Sequence, residues 1–285
     1  MKKLLKTGPV VIELRDFSTK SPWSLWQWKL EPFLTEKNLS PHITVNFNLS
    51  ENPVTTSVLY EEKTGFYKRR VYSCNNNKVL HTLENKDKTI IAFSKDGNNI
   101  SLVADETNSD LQAPFEFLSR TVIHSLLDEN ILTFHGVLIE HEGEAIIISA
   151  PSETGKTTHA HFWRDNKNAI ILNGDNACCY KENEWKAFSV LWSGTSGECV
   201  NRCVSVKALV ILKQGSENIA RRLTQFDAFS DAFSGVQCPS WTKIKVEKAV
   251  DLLDDFIKTV PVFLFECRNE KEAADVLEKA LEEIK

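Results

Sequence analysis

What this chain lacks narrows it first. Its longest apolar stretches are short, and the basic opening Met1-Lys2-Lys3-Leu4-Leu5-Lys6 is followed only by Pro9–Ile12 before Glu13, Arg15 and Asp16 intervene. That run is too brief for a signal-peptide core or a membrane span, so a cytoplasmic chain without a membrane partner is expected. There is no basic excess either. The formal net charge is -5, whereas a protein that grips a nucleic-acid backbone usually carries a positive surplus, so no nucleic-acid partner is expected. The seven cysteines are odd in number and scattered. Cys199 and Cys203 stand four apart, but no second pair or neighbouring histidine completes a zinc set. Reduced thiols are the expectation. No internal repeat and no low-complexity tract is present.

What remains is ordinary for a globular protein: 42% hydrophobic and 26% charged residues over 285 positions, enough for one large or two smaller domains. Residues 1–114 read as a β-rich N-terminal domain for substrate or partner binding. Val79-Leu80, Thr89–Phe93 and Ile100–Val103 are strands, with turns at Asn75-Asn76-Asn77 and Asp96-Gly97-Asn98-Asn99. Trp23, Trp26 and Trp28 form either a local core or an aromatic platform for a peptide or protein.

The texture changes near Ala113-Pro114. Phe115, Leu118, Val122, Ile123, Leu126 and Leu127 recur at helical spacing, which predicts a helix over 115–129 opening a second domain, 115–285. Strands follow at Leu132–Glu140 and Glu144–Ala150, around the turn Glu142-Gly143. A helix is predicted over Lys156–Trp163, a strand over Ala169–Leu172, and another over Val206–Leu212. A helix over Glu247–Thr259, a strand over Val262–Cys267 and a helix over Glu270–Ile284 complete a mixed α/β half.

Between the second of those strands and its helix lies Ala150-Pro151-Ser152-Glu153-Thr154-Gly155-Lys156-Thr157, followed by Thr158 and His159. A small residue, four positions, then Gly-Lys-Thr is the pattern of a phosphate-binding loop. Such a loop offers backbone N–H groups and a helix N-terminus to an anion. A lysine supplies a compact cation, and a threonine hydroxyl can ligate magnesium. The pattern arises by chance in roughly 3% of chains this long, and fewer with correct flanks. The expected ligand is ATP with Mg2+. Ser152, Glu153, Thr154, Gly155, Lys156, Thr157, Thr158 and His159 are the candidate nucleotide contacts, although packing is an equal alternative for His159. His159 and His161 are two apart on the predicted helix and face different sides. Two positions depart from the usual loop. Ala150 replaces a glycine, and the Glu153 carboxylate, if about 6 Å from a phosphate charge, would cost up to roughly 3 kcal/mol at an effective dielectric of 20. It must point outward or be offset by a cation.

The stretch from Phe134 onward resembles the HPr kinase/phosphorylase catalytic domain, which is related to PEP carboxykinases, and more closely a group of bacterial HPr-kinase-like proteins that modify peptides. The resemblance covers about residues 115–285. It is carried by His135-Gly136-Val137-Leu138, by Gly155–His159 with Trp163, by Asn173-Gly174-Asp175, and by Trp192-Ser193-Gly194. It implies an α/β (mixed α+β) fold, a PEP-carboxykinase/HPr-kinase-like P-loop core behind the β-rich N-terminal domain. It also implies ATP-dependent phosphorylation of a serine on a peptide or protein, with Asp175, His135 and Lys156 as catalytic residues. Phosphoryl transfer is mostly charge neutralisation and in-line positioning. Thr157, Asp175 and Glu198 are the candidate metal ligands. Ser193, Gly194, Thr195 and Ser196 are candidate phosphate or substrate contacts, or part of a plain surface loop. Arg202, Arg221 and Arg222 could stabilise charge, although Arg221-Arg222 also reads as a solvated strand edge. The family carries two adjacent aspartates at the strand end, and the first is the base. Here Gly174 stands at that place, and general-base help is worth about 10²–10⁴-fold. A catalytically impaired nucleotide-binding partner in a peptide-modification pathway is therefore the alternative to an active kinase. Oligomeric state is not legible.

Overall fold

The structure, a computed structural model, describes residues 2–15, 26–47, 54–64, 67–75, 78–84, 88–94, 98–104 and 112–284. Trp23, Asn76, Asn77, Asp96 and Gly97, each singled out in the sequence, lie outside them. The chain forms two compact units. The first is Met1–Glu129 with Pro239–Thr242, and the second is Asn130–Cys238 with Lys243–Lys285.

In the first unit the strands are β1 (Lys3–Thr7), β2 (Val10–Arg15), β3 (Ile43–Asn46), β4 (Thr55–Lys63), β5 (Lys68–Cys74), β6 (Lys78–Glu84), β7 (Lys88–Ser94) and β8 (Asn99–Ala104). They make one sheet in the order β1-β2-β3-β8-β7-β6-β5-β4. Only β2–β3 and β3–β8 pair in parallel. A short helix α1 (Gln27–Leu30) and a helix α2 (Gln112–Leu126) accompany it. The predicted helix is therefore present, but it closes the first unit instead of opening the second. Its apolar stripe shows why: Phe115 packs against Trp26 with ring centroids 4.7 Å apart, and Phe117 meets His81 at 4.3 Å. The domain boundary accordingly moves from 114/115 to 129/130. Trp26 is buried and Trp28 is exposed, so these two do not form one aromatic platform.

The second unit contains β9 (Leu132–His141), β10 (Glu144–Ser149), α3 (Lys156–Lys167), β11 (Ile170–Asn173), β12 (Asn176–Lys181), β13 (Trp185–Phe188) and β14 (Cys203–Gln214). β15 (Ile219–Arg222), α4 (Gln225–Phe233), α5 (Lys243–Thr259), β16 (Val262–Cys267) and α6 (Glu272–Glu282) follow. β10, β14 and β16 run parallel, with β14 between the others. β9 returns antiparallel beside β10, and β9–β12–β13–β14–β10 pair in a closed circuit. Parallel strands covered on both faces read as unbroken apolar runs, and β10 is such a strand. Its Ala145 and Ile147 join a core with residues of α4 and α5, while Ile146 and Ile148 join a core with α3 and α6. Helices thus cover both faces, and the loops at the carboxyl ends of β10 and β14 open side by side. No helix among the described residues is long and apolar enough to cross a membrane.

Candidate functional site

The site is assembled where β10 ends. Residues 150–155 form a loop between β10 and α3. Gly155 precedes α3 at φ 104, and Glu153 adopts φ 65. Left-handed backbone within a turn exposes successive N–H groups as an anion-binding concavity. For a side chain as large as glutamate such a conformation is uncommon. Glu153 is exposed and borders both cavities that flank the loop. Ser152, Thr157 and Thr158 are likewise exposed.

Lys156 is the first residue of α3 and is nearly buried. Its ammonium donates to Ala150 O at 2.8 Å and Pro151 O at 3.1 Å, and lies 3.3 Å from His135 Nε2. An ammonium has three donors, so the head group is spoken for by the loop's own carbonyls and one imidazole. Burial lowers its pKa from 10.5, and Asp175 opposes that shift.

His135 is held on β9 by its backbone: its N–H donates to Gly235 O at 2.7 Å, and its carbonyl accepts from Ser149 Oγ at 2.9 Å. Its Nδ1 is 3.3 Å from Asp175 Oδ1. A lysine can only donate, so Nε2 accepts and Nδ1–H faces the carboxylate. This gives a continuous chain Lys156–His135–Asp175, the three catalytic candidates, drawn from three separate elements.

Asp175 sits in the turn between β11 and β12. Asn173, fully buried, is the keystone of that turn. Its Oδ1 accepts from Asp175 N at 3.0 Å and Asn176 N at 2.8 Å, while its Nδ2 donates to Val190 O at 2.7 Å and Trp192 O at 3.1 Å. Asn176 Nδ2 then donates to Asp175 Oδ2 at 3.2 Å. Neither asparagine was a candidate from sequence. Their signal was an asparagine at each side of a strand-end turn, which ordinarily denotes only the turn.

The 193–197 loop closes on this turn. A Cβ at Gly174 would fall 1.9 Å from Ser196 Oγ and 3.1 Å from Ser193 O, so a side chain there would require Ser196 to move. A Cβ at Gly194, whose φ is 61, would lie 3.0 Å from Asp175 Cβ and Cγ. Ser196 Oγ is itself engaged, donating to Ser193 O at 3.0 Å and accepting from Glu198 N at 3.3 Å.

Other candidates fall elsewhere. The Glu198 carboxylate is turned to His161 and Arg164 of α3, each at 2.9 Å, and not to Asp175, and Arg164 is shared with Asp165. Only its backbone reaches the strand end, accepting from Gly174 N at 3.1 Å. His159 is buried, with a pKa lowered by burial to about 4. Its Nε2 accepts from Trp163 Nε1 at 3.2 Å and its ring packs against Phe265, so packing fixes it where it borders the second cavity beside the loop. Arg202 pairs with Glu140 at 3.0 Å, at the far end of β9 from His135. Arg221 and Arg222 are exposed on the edge strand β15.

Two cavities flank the loop and share Glu153 and Thr154. One, of about 460 Å³, is lined by His135, by residues 149–154, by the end of β14 (Ile211–Gln214), and by Asp231, Ser234 and Gly235. The other, of about 560 Å³, is lined by Gly155, Thr158, His159, Phe162, Arg268 and Asn269 among others. These are sizes at which small-molecule sites occur.

No family model and no curated protein matches the chain. Among solved structures it is similar to the HPr(Ser) kinase/phosphatase from Coxiella burnetii. The match has 12% identity and a TM-score of 0.32, over 52% of this chain and 95% of that one. At that score the likeness is weak, and the functional reading rests on the side chains described above.

Proposed function

We propose that this chain is an ATP- and magnesium-dependent kinase that transfers the γ-phosphoryl group to a serine hydroxyl of a peptide or protein. The observation that carries the proposal is the chain Lys156–His135–Asp175 beside a strand–loop–helix turn with left-handed backbone at Glu153 and Gly155. In this reading the loop's N–H groups and the start of α3 hold the phosphates. Lys156 exchanges its loop carbonyls for phosphate oxygens. The acceptor serine Oγ bonds to Pγ as the bond from Pγ to the bridging oxygen of ADP breaks, and the hydroxyl proton passes to the Asp175 carboxylate. His135 donates its Nδ1–H to Asp175 and so orients it. Magnesium usually keeps several waters and takes one or two carboxylates beside substrate phosphates. An oriented Asp175 and the exposed Thr157 hydroxyl fit that modest demand, and would hold an ion that neutralises phosphate charge. The serine acceptor rests on the motif resemblance of the second unit.

A second reading has its own observation. Gly174 leaves one carboxylate at the strand end, and Ser196 lies against that glycine. A nucleotide-binding pseudokinase would look the same. Incubation with γ-labelled ATP, magnesium and candidate peptides separates the two. Label on a peptide serine selects the kinase, while ATP binding without transfer to any candidate selects the pseudokinase. Failure to bind ATP removes both.

A further inference from the structure

The cation that lines the smaller of the two cavities beside the loop is not the one the motif advertises. Lys156 lies beneath the loop and does not line the 460 Å³ cavity; among the described lining residues the ammonium is that of Lys213. Its position follows from strand register. β14 runs parallel to β10 with Ile211 opposite Ser149, so Lys213 extends past the rung at which β10 turns into the loop. Gln214, next in sequence, donates from Nε2 to Thr154 O at 3.4 Å and ties the end of β14 to the loop. Beside it on the cavity wall, Asp231 of α4 is 3.7 Å from Lys213 Nζ, with both side chains substantially exposed. A solvated pair at that separation exchanges partners readily. A triphosphate carries several negative charges against the single charge of Asp231, so it competes effectively for this lysine.

We infer that Lys213 is a second phosphate-binding residue, which leaves Asp231 for the outermost phosphate when a nucleoside triphosphate occupies the cavity. The inference rests on the reading that the loop holds a nucleotide, and names a contact within that site.

Calorimetric titration of the full chain with magnesium-ATP and magnesium-ADP tests it. Lys213→Met is expected to weaken ATP binding about tenfold while leaving ADP within about twofold. Lys213→Arg retains ATP binding, and Asp231→Asn, which frees the lysine, tightens it about two- to threefold. Circular dichroism confirms that each variant is folded, and Asp231→Asn carries the test should Lys213→Met misfold. Unchanged ATP affinity in Lys213→Met, or an equal loss for ATP and ADP, overturns the inference. If Lys156→Ala abolishes ATP binding while Lys213→Met is silent, only the Lys213 assignment falls. If the unaltered protein binds no ATP, the nucleotide reading falls with it.

Discussion

Each unit contains a cation set against an imidazole acceptor, and the two pairs differ chiefly in burial. In the first unit Arg69 Nε donates to His81 Nε2 at 2.9 Å. Arg69 is 7% exposed and His81 1%. The guanidinium also lies over the rings of Tyr60 and Trp241, at 5.2 and 5.4 Å. In the second unit Lys156 meets His135 at 3.3 Å, and the His135 side chain is 35% exposed beside a cavity. The buried pair is enclosed by its own unit, with Trp241 packed on Tyr60, His81 and His124. Both pairs continue to a carboxylate, Arg69 to Glu62 at 3.5 Å and His135 to Asp175 at 3.3 Å, but only the second borders a cavity beside the loop. Similar hydrogen-bond chemistry is thus enclosed in one place and open in the other, where the proposed function puts it to use.

Substitutions should separate the two. The largest effect expected is at Asp175, the end of the open chain. Asp175→Asn keeps the shape of the turn but removes the proton acceptor, and should slow transfer to a peptide serine by about 10²–10⁴-fold with little change in thermal unfolding. Transfer at the wild-type rate would show that Asp175 is neither base nor metal residue. Arg69→Ala should do the reverse. It strands a buried imidazole acceptor and removes two cation–π contacts, for a loss of about 2–4 kcal/mol of stability. ATP affinity measured below the melting range should be unchanged. If Arg69→Ala instead abolished ATP binding without lowering the denaturation midpoint, the division into enclosed pair and site would be wrong.

The sequence was legible where a single element carries its own signal. β10 announces itself as Ala145–Ile148 because a strand covered on both faces needs no polar residues, and the helix start at Lys156 is marked by the glycine before it. Strand β4 gave no signal: most of Thr55–Lys63 is exposed, so no alternation of apolar and polar residues develops. Helix α2 was visible as a helix, but periodicity shows only which face is apolar, not which sheet that face meets. The site itself depends on partners distant in the chain. Glu198 is as acidic as Asp175 in the sequence, and only the fold places Arg164 and His161 against it. Asn173, Ser196 and Lys213 acquire their roles through residues 16 or more, 22 and 18 positions away, at Ser189, Gly174 and Asp231 respectively. No local pattern holds such information.

Acid sharpens the comparison from another side, because each unit also buries a neutral histidine. His159 in the second unit has its pKa lowered by burial to about 4, and His81 in the first is lowered well below 6.5, by burial first and then by Arg69. Both accept an N–H at Nε2, from Trp163 and Arg69, and that nitrogen cannot be protonated without losing the bond. The sign follows by linkage. An unfolded chain takes up the proton near pH 6.5, while the folded chain resists it until far lower, so stability falls as pH drops through that interval. For His159 the loss approaches about 3 kcal/mol near pH 4. His159→Gln keeps an acceptor for Trp163 without a titrating group, so the second unit should lose less stability between pH 6.5 and 4.5 than the unaltered chain does. His81→Gln should flatten the profile of the first unit alone. Equal acid destabilisation in the unaltered chain and in both variants would mean that the acid sensitivity lies with other groups, and that the two buried imidazoles are not what it reports.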